Sequence, residues 1–182
     1  MAGSGNLQEM ERRPTLSLNE WAVLGVLVEK ARHGYDIAAA LQPGTPLGDA
    51  WHLTRQLVYR ALERLEALGL AEPQRTESSS AGPRRTIFGP TSRGQITLGT
   101  WLATPVEHVR DVRNAFLLKL LIAEQLGLDS RGLVKAQRRA FADLFDRAEG
   151  PPPTTDVVAT WRHFSIGAAA AFLEALDEHR ER

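Results

Sequence analysis

The sequence predicts a mainly α fold with one small β-hairpin. Apolar residues recur at helical spacing over most of the chain. The period changes once, between Leu70 and Phe88, where two short extended runs flank a Ser/Gly/Pro stretch. Breakers gather at 42–46, 78–83, 103–105 and 150–153 and separate the periodic segments. With 182 residues, 43% of them apolar and 24% charged, the chain suits one ordinary domain or two small ones and can bury a core.

Residues 1–15, rich in Gly, Ser, Asn and charge, are expected to form a flexible tail. Ser17 and Glu20 fit a capping box, so a first helix should begin there. Trp21, Leu24, Leu27 and Val28 carry it to His33-Gly34, where the glycine is expected to end it in a left-handed conformation. A short second helix, 35–41, stops before Pro43. The third is the best defined: Thr54 caps it, and Leu57, Val58, Ala61, Leu62, Leu65 and Leu68 form one stripe before Gly69 and Leu70 close it. At 100° per residue this leaves Gln56, Tyr59, Arg60 and Glu63 outward, with Arg55 at the margin. Runs 70–76 and 84–88 form the hairpin, with Pro73 marking an edge strand. Thr91 caps a fourth helix that runs through Ile96 and Trp101 to Ala103.

Residues 105–182 carry three helical patterns, 109–125, 130–148 and 155 onward, with no strand and no expected compact core of their own. In the last, Val157, Trp161, Phe164, Ala168, Phe172 and Leu176 form a long stripe, and 168–171 leave room for a close neighbour. So much apolar surface calls for cover by another chain, most simply a second copy.

Much chemistry is excluded. The chain has no cysteine, which removes disulfides and thiolate metal sites. Its longest apolar run, 115–123, is broken by Lys119 and falls far short of the roughly 20 residues that span a bilayer. A cytoplasmic protein is expected. Gly89-Pro90-Thr91-Ser92-Arg93-Gly94 resembles the start of a phosphate-binding loop, but Gln95 and Ile96 stand where Lys and Ser or Thr are required. The five histidines lack ligand spacing and no Gly-x-Ser-x-Gly elbow exists, so neither enzyme activity, metal nor cofactor is expected.

The positive signal is electrostatic. The chain is neutral overall, with 22 basic and 22 acidic residues, yet residues 51–95 hold seven arginines against four glutamates. Arginine's planar fork suits phosphate and the guanine edge. Arg55, Gln56, Tyr59 and Arg60 occupy the N-terminal half of the third helix, Glu63 and Glu66 the other half. Such a helix can enter a DNA major groove N-terminus first. Arg84 and Arg85 follow Gly82-Pro83 at the hairpin tip, where phosphate or minor-groove contact is sterically easy. The candidate DNA-binding residues are Thr54, Arg55, Gln56, Tyr59, Arg60, Arg75, Arg84 and Arg85. The bland alternative is a solvated helix with pairs such as Arg60–Glu63 and an exposed polar turn. The order helix, short helix, amphipathic helix, basic hairpin, helix is that of a winged helix-turn-helix, placed at 16–104. A helical dimerisation and possible effector-binding domain follows at 105–182.

These residues resemble the PadR family of bacterial transcriptional regulators over about 16–126. The matching segments are His33-Gly34-Tyr35-Asp36-Ile37, the helix from Leu57 to Glu66 followed by Gly69-Leu70, Gly82-Pro83-Arg84-Arg85 with Thr91-Ser92-Arg93-Gly94, and the run Arg113-Asn114-Ala115-Phe116-Leu117-Leu118-Lys119-Leu120. The resemblance implies a homodimer on a palindromic operator, usually a repressor, released by a small aromatic or amphiphilic effector. Trp161 and Phe164 are the candidates for touching that effector. Phe88-Gly89-Pro90-Thr91 departs from the family's Tyr-x-Leu-Thr, so the second wing strand is expected to be bent or shortened at its end. A non-catalytic winged-helix module that binds another protein is the competing function.

Overall fold

The computed structural model describes residues 15–79, 82–153 and 156–181. Helix α1 (Leu18–Glu29) starts with the expected capping box: Ser17 Oγ accepts from the Glu20 amide and the Glu20 carboxylate accepts from the Ser17 amide. Trp21 to Leu27 are all buried, because helices and sheet pack around α1 on every side. The helix ends at Glu29, short of the expected His33-Gly34. The chain turns extended at Lys30, and Arg32–His33 forms strand β1. Gly34 has no left-handed backbone; among the described residues only Gly44, Gly69 and Gly127 have positive φ. It opens α2 (Gly34–Ala40) instead.

The 42–46 breaker cluster hides a helix start. Thr45 Oγ1 accepts from the Gly48 amide at 3.0 Å, and Pro46 takes the first position of α3 (Pro46–Ala50), where no amide is needed. Helix α4 (Arg55–Ala67) follows the sequence closely: Thr54 Oγ1 accepts from the Leu57 amide, and Val58, Ala61, Leu62 and Leu65 are buried. Gly69, at φ 65°, lets the Leu70 amide donate to Leu65 O at 2.8 Å while Leu70 folds into the core.

Strands β2 (Ala71–Ser79) and β3 (Gly82–Pro90) make the hairpin, and β1 joins it antiparallel in the order β1-β3-β2. Pro73 therefore lies on an edge strand, as its missing N–H requires. The end of β3 is not shortened: it pairs through Pro90 with Ala71. The irregularity falls on β2, where the register shifts between Pro73 and Arg75 and the Gln74 amide lies over Gly89, where it would have to swing aside for a Cβ. Helix α5 (Ser92–Ala103) is capped by Thr91.

Beyond it come a 3-10 turn (Val109–Asp111), a π turn (Val112–Phe116), and helices α6 (Leu117–Gln125), α7 (Arg131–Arg147) and α8 (Val157–Glu181). Leu118 and Ile122 of α6 join the first apolar cluster, where Ile122 fills the space above Gly25 of α1. Val106, Val112, Phe116, Leu120, Leu133, Val134, Phe141, Ala169 and Leu173 form a second cluster. The expectation that 105–182 lack a core is thus corrected. The helices bury it by packing α7 on α8, and Arg138 ties the pair to Asp177 at 2.5 Å.

Candidate nucleic-acid interface

The exposed face of α4 is built on α2. Gly34 opens α2 directly beneath the Tyr59 ring; a Cβ there would lie 2.7 Å from it. His33 anchors this corner to the wing, its Nδ1 lying 3.2 Å from Thr86 O. Tyr35, on the first turn of α2, offers its ring to the Arg55 guanidinium at 5.0 Å from the centroid, a cation–π contact that holds Arg55 beside the helix N-terminus. The His-Gly-Tyr segment thus supports the N-terminal half of α4 through a strand, a gap and a ring.

Arg55, Gln56, Tyr59 and Arg60 are all exposed, Tyr59 at 45%. Ion pairs among the described residues involve none of them, so the Arg60–Glu63 pair of the bland reading does not form. Between α2 and the start of α4 lies an open cleft of about 430 Å³, lined by Tyr35, Ala38, Gln42, His52, Thr54 and Arg55 among others. Thr54 stands at its rim with its hydroxyl engaged in the cap. Arg75 is exposed on β2. The side chains of Arg84 and Arg85 lie outside the described residues; only their strand, β3, is described. Arg93 faces elsewhere, donating to Leu68 O at 3.2 Å at the far end of α4. Sequence reasoning missed Tyr35 and His52. Tyr35 stood inside a quoted motif without a role, and His52 joins the site only because the loop after α3 returns beside α2.

Trp161 and Phe164 are 72% and 58% exposed, and Val157 and Val158 share their half of α8. They do not line the cleft between α2 and α4. Trp21 and Trp101 stack on each other in the first core at 4.6 Å, and Trp51 donates to Asn19 Oδ1, so these rings serve packing.

Residues 23–100, from within α1 to within α5, match the model of the transcriptional regulator PadR-like family. The winged unit is similar to a PadR-like domain. Solved structures similar to the whole chain include Bacillus subtilis PadR in complex with operator DNA, 19% identical over 90% of this chain and 99% of that one, with a TM-score of 0.48. Bacillus subtilis PadR in complex with p-coumaric acid is 18% identical over 91% and 100%, with a TM-score of 0.44. The Vibrio cholerae virulence activator AphA is 20% identical over 91% and 94%, with a TM-score of 0.38. No curated protein matches the chain. The PadR-like match ends at residue 100, so α6 to α8 lie beyond it. Among the described residues no helix is long and apolar enough to cross a membrane.

Proposed function

We propose that this chain is a sequence-specific DNA-binding regulator acting as a homodimeric repressor of a palindromic operator. Residues 16–104 are the DNA-binding unit and 105–182 the dimerisation and effector unit. One observation carries the reading: an exposed half-helix of Arg55, Gln56, Tyr59 and Arg60, without ion pairs among the described residues, raised on a PadR-like scaffold. Arginine and glutamine there suit base edges, and Arg75, Arg84 and Arg85 on the wing suit phosphates. Paired copies read both half-sites when their α4 helices sit about 34–36 Å apart. The bare aromatic half of α8 supports self-pairing. A small aromatic or amphiphilic effector at Trp161 and Phe164 releases the DNA if it binds one dimer geometry better than the other.

The test uses a duplex that the chain itself selects from a random pool. Affinity falls steeply as salt rises. Arg84→Ala weakens all duplexes alike and lowers the salt slope by about one, whereas Gln56→Ala relaxes sequence preference by about 1–3 kcal/mol at one position. Salt-independent binding, or two silent variants, overturns the reading. A stable complex with a different protein and no duplex binding favours the interaction module instead.

A further inference from the structure

The main chain between α5 and the turns before α6 is held by two buried side chains from different helices. Lys119 of α6 is 2% exposed and donates to Trp101 O at 2.6 Å and to Thr104 O at 2.5 Å. Its ammonium also sits 4.5 Å from the centre of the Trp101 ring, which stacks on Trp21 of α1. Gln137 of α7 is fully buried; its Oε1 accepts from the Val106 amide at 2.7 Å and its Nε2 donates to Val106 O at 3.0 Å. An alkyl chain in either place would take these side-chain partners from the Trp101 and Thr104 carbonyls or from the Val106 amide and carbonyl. Polar ends add direction, because each bond aims one helix at a fixed point on the connecting strand of chain.

The geometry matters through leverage. Helix α6 serves both apolar clusters, but α7 and α8 belong to the second alone, and Val106 is where α7 is pinned to the chain leaving α5. Helix α7 has 17 residues, about 25 Å at 1.5 Å per residue. Gln137 is its seventh residue, so about 15 Å of helix lies beyond the pin, and a tilt of about 15° there moves the far end about 4 Å, more than one base-pair rise of about 3.4 Å.

We propose that Lys119 and Gln137 form a paired latch, positioning residues that fix the angle at which α7 and α8 carry the winged unit. In the dimer they thereby set the spacing of the two α4 helices. The latch stands on the geometry above; its consequence for spacing rests on the DNA-binding reading.

Because the chain has no cysteine, spin labels can be placed at Ala67→Cys on α4 and Arg147→Cys at the far end of α7, both exposed. Labelled chain diluted into unlabelled chain reports the intrachain distance by pulsed electron resonance. Lys119→Met and Gln137→Met each shift or broaden that distance by more than about 3.4 Å, with helix content unchanged, and Lys119→Arg restores the narrow distribution. On duplexes whose half-sites are moved by one base pair, the Met variants lose the discrimination that wild type shows. Met variants with the wild-type distance distribution overturn the latch. Should they fail to fold, amide exchange in the wild-type chain decides: a Val106 amide protected like the core supports the latch, and one exchanging like an open loop overturns it. A wild type that binds no duplex, with widened distances in the variants, removes the DNA reading and leaves the latch standing.

Discussion

Two glycines of α5 have opposite surroundings. A Cβ on Gly94 would lie 2.0 Å from Leu70 O, a backbone atom that cannot swing away, whereas nothing lies within 4 Å of one on Gly99. Gly94→Ala should therefore destabilise by about 1–3 kcal/mol through forced separation of α5 from the α4–β2 corner. Gly99→Ala should stabilise by about 0.5–1 kcal/mol, because alanine loses less backbone freedom in a helix interior. Urea midpoints at constant slope measure both. Lys119 adds a pH dependence. Burial pushes its ammonium from the usual 10.5 down to about 8. Between those values the unfolded chain holds the proton that the folded chain has released, so raising pH favours folding. The group's contribution is flat below about 8, rises by at most about 1.4 kcal/mol per pH unit, and levels above 10.5. Stability of the wild type minus that of Lys119→Met should climb across this window; a constant difference would refute the buried, charged Lys119 at neutral pH. Little at this scale was legible. Lys119 stood in the sequence as a mere break in an apolar run, since its partners are carbonyls at 101 and 104 that only the fold brings near. Gly34 was misread because the pattern shows a stop signal but not the Tyr59 ring that needs the gap.

At the level of elements, legibility follows how local the determinants are. Helices α1, α4 and α5 each carry a side-chain cap and an apolar stripe within their own residues, and their starts fall where the caps put them. Strand β1 is two residues long and exists by pairing Arg32 with Phe88 and His33 with Ile87, so no local period announces it. Helix α3 has five residues and shares its start with a breaker cluster. The candidate interface divides the same way: the α4 face followed from periodicity, whereas the support it receives from α2 is tertiary. Helix α4 yields the sharpest test at this scale. Thr54→Ala removes the acceptor of the Leu57 amide and should cost about 1 kcal/mol of stability, while Thr54→Ser retains most of it. The frayed first turn carries Arg55 and Gln56, so duplex affinity should drop further than the stability loss accounts for. Equal affinity for wild type and Thr54→Ala would mean that this turn makes no contact with DNA.

Across the whole molecule, α8 is divided between two roles. Its C-terminal half contributes Ala169 and Leu173 to the second core, with Phe172 and Leu176 packed against it, whereas Val157, Val158, Trp161 and Phe164 in the N-terminal half stay bare. The sequence stripe ran through both halves and could not separate them, because a helix packed on its own chain and a helix awaiting another chain use the same apolar spacing. The division allows pairing to be tested without disturbing the protomer. Trp161→Glu removes no contact of the second cluster, so thermal unfolding of the isolated protomer should be unchanged. In a two-fold dimer the substitution acts twice. At about 2 kcal/mol for each buried ring, the dimer dissociation constant should rise about a thousandfold. Sedimentation over a concentration series reads this directly. With pairing lost, affinity for a duplex carrying two half-sites should fall toward that for a single half-site, while the single-site affinity stays the same. If Trp161→Glu leaves both the dimer and the two-site advantage intact, protomers pair through another surface and the bare half of α8 has a different occupant.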